Sequence, residues 1–283
     1  MKKIILLFIL LQNFLGFSQE TTIIADKYTA HNKGKFFIFW GGNRDMYAKS
    51  SVHYTGKNYD FTIENAIAHD KPKGWHIDYL NPSRMTIPQT NLRFGYFISD
   101  KYSVSLGVDH MKYVVTQNQR VNVNGTINLP ASEVGSQYNG VYNNTPTVLS
   151  ESFLKLEHTD GLNYVHAEVA RIDDISYLLK LPNIDKFQMN LTEGLGSGFL
   201  YPRTDSSLLG KERHDDYNVA GYGISAKVGL NFTFFKYFFI QTELKGGYIG
   251  MTNIRTTFDT SDKATQEIVF FEKTIAFGGI FRL

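Results

Sequence analysis

Histidines beside carboxylates recur along this chain, as Asp109-His110, His76-Ile-Asp78, His158-Thr-Asp160 and His214-Asp215-Asp216. An imidazole held by an acid is what a hydrolase uses to activate a nucleophile, and imidazoles near carboxylates also suit metal ions. The same spacings arise by chance in polar loops, where a histidine is solvated or structural. The identity of any metal therefore stays open, and no motif calls for a cofactor. The run from Glu193 through Gly194, Gly196 and Gly198 looks like a phosphate loop, yet it lacks the Lys-Ser/Thr pair and opens no helix. Its alternate glycines, with Gly221 and Gly223, either let a tight sheet curve or leave a shallow groove for a loop or a lipid acyl chain. A further set of charges, Arg93, Asp109, Glu168, Lys227, Glu243, Lys245, Glu272 and Arg282, sits on one parity of alternating segments together with His166.

The elements that position these residues are written in period two. Leu92, Phe94, Tyr96 and Ile98 alternate with Asn91, Arg93 and Gly95, and Tyr102, Val104, Leu106 and Val108 alternate with Ser103, Ser105, Gly107 and Asp109. The same pattern runs from Ala220 to Phe232, from Phe238 to Lys245, and from Val269 to Leu283. Less regular strands are predicted over 35–43, 153–171 and 186–200, which makes eight. Long polar segments at 44–88, 116–150, 201–216 and 257–265 alternate with short turns, the signature of an outer-membrane barrel. The segment 172–185 is the weak point of the count, because a hidden strand pair there would make ten. Within the first loop the stretch from Tyr59 to Ile67 has strand character. The second loop predicts a hairpin over 120–129 followed by a mobile polar segment.

The charge set decides which face meets lipid. A soluble calyx would line its interior with the apolar face and place the ions outside among many Gly, Ser and Asn. Inside a small membrane barrel, a balanced set of ions can pair and fill the lumen. Phe234, Phe235, Tyr237 and Phe238 around one turn, and Tyr102 beside another, suit a membrane interface. The chain has 283 residues, 20% charged, a net charge of +2 and no cysteine. These values exclude disulfide, zinc-thiolate and iron–sulfur scaffolds and leave no basic stripe for nucleic acid. Lys2 and Lys3, the apolar run Ile4–Leu11 and the small residues Gly16 and Ser18 predict a signal peptide over 1–18. A periplasmic N-terminal tail over 19–33 and a single barrel domain over 34–283 follow.

The ending Gly278-Gly279-Ile280-Phe281-Arg282-Leu283 resembles the C-terminal insertion signal of outer-membrane β-barrel proteins, carried by Gly278, Phe281 and Leu283, with Leu in place of the usual terminal Phe. The whole chain is similar to the small outer-membrane barrels of Gram-negative bacteria, of a Bacteroidota type, to which no characterised activity is attached. That resemblance implies the barrel assembly machinery as a partner during insertion, and outer-membrane lipid and lipopolysaccharide as surroundings. Outer-membrane lipid A deacylases carry a His-X-Ser-Asn pattern near a strand's outer end. Here His158 matches, but Asp160 stands where the nucleophile would be, which removes serine acyl transfer.

Two function classes result. A barrel of eight strands is just wide enough for side chains, so a general pore is disfavoured and a narrow channel ranks low. The first reading is a structural or ligand-binding surface scaffold, with Tyr54, Tyr59, Trp75 and Tyr79 of the first loop as binding residues. The alternative is a lipid A or phospholipid hydrolase using His158 and Asp160. The oligomeric state is not legible.

Overall fold

The computed structural model describes residues 27–74, 76, 88–212 and 214–283. The signal peptide expected over 1–18 lies outside the described residues. The strands of the first half are β1 (Phe36–Tyr47), β2 (Ser50–Gly56), β3 (Tyr59–Ala66), β4 (Ala68–His69), β5 (Thr90–Phe97), β6 (Tyr102–Val115), β7 (Arg120–Ile127) and β8 (Gly140–Val148). Those of the second half are β9 (Leu154–Asp174), β10 (Phe187–Leu200), β11 (Arg203–Leu208), β12 (His214–Tyr217), β13 (Gly221–Phe234), β14 (Phe238–Arg255) and β15 (Lys263–Phe281).

Eight of them close a barrel in the order β1-β5-β6-β9-β10-β13-β14-β15, and β15 pairs back onto β1 from Phe36↔Phe281 to Tyr47↔Phe270. Every pair is antiparallel. The segment between β9 and β10 holds only a 3-10 turn at Ser176–Leu179, so the barrel has eight strands rather than ten. Closure satisfies the ladder groups that an open edge would leave bare, which is what hydrocarbon demands of a sheet.

Alternation then sorts the two faces. Phe94, Leu106, Val169, Leu195, Ile224, Leu244 and Ile275 point outward, with Leu195 69% exposed. An apolar band of this size is incompatible with water. Exposed aromatics mark its two edges: Tyr96, Tyr102, Tyr237 and Phe238 at the end holding the chain's described termini, and Phe199, Tyr201 and Tyr222 at the end holding the long loops. From Tyr222 to Phe232, a rise of ~3.4 Å per residue at ~40° tilt spans about 26 Å, the height of an outer-membrane barrel's apolar band. The protein is an outer-membrane β-barrel.

Beyond the loop-side edge the sheet continues. β2, β3, β7 and β8 extend it from the upper part of β15, and β11 pairs with the upper part of β9 and with β12. The second loop differs from its sequence reading: β8 pairs with β7 along its length, so the segment expected to be mobile forms the hairpin's second strand. This layer encloses an apolar core including Val52, Tyr54, Phe61, Ile63, Tyr113, Leu156 and Leu162. At the opposite mouth, the end of the expected tail is docked. Thr29 is buried, its Oγ1 donates to Asp185 at 2.7 Å, and Gln188 donates to its carbonyl at 3.3 Å.

Candidate functional site

The lumen of the membrane section is filled by ions. Asp109 on β6 accepts from Arg93 at 2.8 Å and Asn91 at 2.6 Å through Oδ1, while its Oδ2 faces Lys245 at 2.5 Å and His166 Nε2 at 3.0 Å. Lys245 also reaches Glu272 at 3.3 Å. Lys227 bridges Glu168, at 2.7 Å, and Glu243. Neighbouring strands all contribute because each of these residues lies on the inward parity of its strand. Arg282 does not join them. β15 ends at Phe281, so Arg282 is exposed at the rim, where it donates to the Lys33 carbonyl at 2.9 Å. A cavity of only about 40 Å³ remains beside Lys227 and Glu168.

The alternate glycines accommodate this packing. A Cβ on Gly196 would stand 2.8 Å from Ser225 Oγ and 3.1 Å from His166 Nδ1, and one on Gly223 would stand 2.8 Å from the Tyr164 ring. Side chains from neighbouring strands thus occupy the space in which the glycine pattern allows a groove.

His158 and Asp160 take different partners. His158 lies in the fully buried upper core, its Nδ1 3.1 Å from Thr204 Oγ1 and its ring 5.9 Å from that of Tyr113. Burial away from water lowers its pKa to about 4, against a small opposing pull from Glu157. The strand is then interrupted: Gly161 has φ +126, and the β6 register jumps from Tyr113↔His158 to Met111↔Leu162. This bulge carries Asp160 out of the inward parity. Asp160 meets Arg203 at 3.1 Å, and Arg203 Nε meets Asp215 at 2.9 Å with the Tyr217 ring 5.8 Å from its guanidinium. On the same inner face Ser206 is fully buried, and its Oγ has no hydrogen-bond partner.

A recess of about 490 Å³ opens beside this cluster, lined by His214, Asp216, Tyr217, Asn218, Arg255, Thr257 and Phe258. Its walls come from β12 with the residue that follows and from the end of β14 with the residues beyond it. His214 is buried, with Nδ1 3.3 Å from the Thr204 carbonyl and its ring 5.8 Å from that of Phe258. A carbonyl only accepts, so Nδ1 donates to it and Nε2 is left for the recess. Thr257 donates to Asp262 at 2.8 Å, which occupies the hydroxyl lining the recess. Phe258 and Tyr217 are exposed, and Tyr217 stacks on Tyr201 at 5.4 Å.

Of the aromatics expected to bind, Tyr54 and Tyr59 are buried in the upper core, Tyr54 stacked on Phe61 at 5.2 Å, while Trp75 and Tyr79 lie outside the described residues. The recess takes its aromatics from elsewhere, and Arg255 and Phe258 carry no distinguishing sequence signal. Among the described residues, no group of three or more His, Asp or Glu stands close enough to hold a metal ion.

No protein-family model and no curated protein matches the sequence. Among solved structures, the chain is similar to the outer membrane protein OprG from Pseudomonas aeruginosa, at 12% identity and TM-score 0.37 over 90% of this chain and 99% of that one. It is also similar to Ail, the attachment invasion locus protein of Yersinia pestis, at 10% identity and TM-score 0.33 over 88% and 99%. Neisserial surface protein A is matched at 10% identity and TM-score 0.32 over 87% and 99%.

Proposed function

We propose that this outer-membrane barrel is a surface binding protein, whose filled barrel anchors a folded loop layer and whose recess between β12 and the end of β14 takes a saccharide-sized ligand. The recess itself carries the reading: about 490 Å³ bounded by the exposed rings of Tyr217 and Phe258 and by Arg255, Asp216 and Asn218. Aromatic faces pack against the C–H face of a sugar ring, and planar charged and amide groups hydrogen-bond its hydroxyls. Arg255 favours a sugar bearing a carboxylate or another anionic group. His214 adds a ring nitrogen, Nε2, that can hydrogen-bond the ligand.

Saturation-transfer NMR on detergent-refolded protein with neutral and acidic mono- and disaccharides tests this. Binding of acidic sugars, lost in Arg255→Ala and Phe258→Ala barrels that remain folded, is expected; signals in both folded variants equal to those of the parent would refute it. The hydrolase alternative has weaker support, because His158 and Asp160 are separated by the bulge. Mass spectrometry of lipid A and phospholipids after incubation with the folded barrel, alongside His158→Ala, checks it, and unchanged lipids are expected.

A further inference from the structure

The outer wall of the barrel carries two cations side by side. Arg44 on β1 and Lys273 on β15 are direct register partners, both exposed and both on the lipid-facing parity. Their surroundings on that wall are apolar: Met46, Leu244 and Ile275 are all exposed. From Phe281 to Lys273, a rise of ~3.4 Å per residue at ~40° tilt places the pair about 21 Å above the terminal-side edge. That level is just beneath the loop-side aromatics, in the half of the band next to the outer headgroups.

Like charges directly opposite each other in an antiparallel pair repel, and charge on a lipid-facing wall is unfavourable in a depth-dependent way. Elsewhere on that wall Arg171 is opposite Glu193 in the β9–β10 register and pairs with Asp173 at 2.6 Å, which Lys101 also reaches at 3.3 Å. Arg44 has Asp70 in its field on the loop side. No ion pair joins Lys273 to a carboxylate among the described residues. Lys49, also exposed, follows two residues past the loop-side end of β1. Long cationic side chains lying along an apolar wall reach upward to the headgroup level.

We infer that the β1–β15 seam is a binding site for the phosphate of an outer-leaflet lipid of the lipid A type, with Arg44 and Lys273 clamping the phosphate and Leu244 and Ile275 receiving its acyl chains. The inference rests on the barrel's place in the outer membrane and is independent of the recess at β12.

Native mass spectrometry of the detergent-solubilised full chain tests it, with bisphosphorylated lipid A, its dephosphorylated form, and inorganic phosphate as separate probes. Lipid A adducts are expected to survive detergent release. Their affinity should fall about fivefold for Lys273→Gln and more in Arg44→Gln/Lys273→Gln, since each cation near a charged bilayer surface contributes about that factor. The dephosphorylated form should bind no better than the double variant does. Heat-modifiable migration on gels reports that each variant is folded, and Lys236→Gln, at the opposite end, should bind as the parent does. Unchanged lipid A binding in a folded double variant would overturn the site. Binding of inorganic phosphate as tight as that of lipid A would overturn the lipid as its occupant.

Discussion

Asp109→Ala is the sharpest perturbation of the filled lumen. Asp109 is wholly buried, and among the described residues it is the only ion-pair partner of Arg93, whose side chain is 1% exposed. Three cations (Arg93, Lys227, Lys245) face four carboxylates (Asp109, Glu168, Glu243, Glu272), so a simple charge tally would improve on losing one anion. Local geometry opposes that tally: Arg93 loses its partner, Lys245 keeps only Glu272, and Asn91 loses an acceptor. Removing one member of a buried, hydrogen-bonded ion pair costs about 3–5 kcal/mol. With a urea dependence of about 2–3 kcal/mol per molar, the midpoint of unfolding should fall by about 1–2 M. Tryptophan fluorescence in urea after folding into small detergent micelles measures it. Arg282→Ala, at the exposed rim, should shift stability by no more than about 0.5 kcal/mol. Equal midpoints for the two variants would refute the account of the lumen as a network centred on Asp109.

His158 should make the loop layer acid-sensitive. Its folded pKa of about 4 lies below the ordinary 6.5, so between those values the unfolded layer binds a proton that the folded one refuses. Its contribution is therefore complete above about pH 6.5 and is lost as pH falls to 4, an effect of about 3 kcal/mol. Hydrogen exchange of β11 across that range checks this, and His158→Phe should flatten the dependence. Gly198→Ala places a Cβ 2.0 Å from the Val165 carbonyl oxygen and 2.5 Å from His166 Cα. Backbone atoms cannot yield there, so urea titration should show a loss of about 1–3 kcal/mol. Gly140→Ala, whose nearest neighbour would be 3.7 Å away, should unfold within about 0.5 kcal/mol of the parent. Tyr54→Ala should cost about 3–5 kcal/mol, felt in exchange rates of β2, β3 and β7 but not in those of β13 and β14.

Parity makes the barrel legible, and parity explains where legibility stops. Asp109, Glu168, Lys227 and Glu243 fall inward because each strand alternates without interruption past them, so side-chain period two alone places them. Arg282 has the same parity as Glu272, but the ladder ends at Phe281, and beyond it the alternation has no pleat to act on. Asp160 has the parity of His158 and Leu162 and still leaves the inner face, because the bulge at Gly161 interrupts the alternation between them. A glycine inside a strand run is the available sign of such a break. The polarity of the first loop points Tyr54 and Tyr59 toward a binding surface. Yet Val52 with Tyr54, Tyr59 with Phe61 and Ile63, and Val121 with Val123 each repeat the same period two, and the buried rings follow it. That alternation is written in the residues themselves and outweighs mean polarity wherever a loop is long enough to form its own sheet. The recess is different in kind. Its walls at 214–218 and 255–258 come from segments that meet only because β13 and β14 return the chain to the loop end. No local spacing encodes that meeting; it needs the strand count, the closure and the register together.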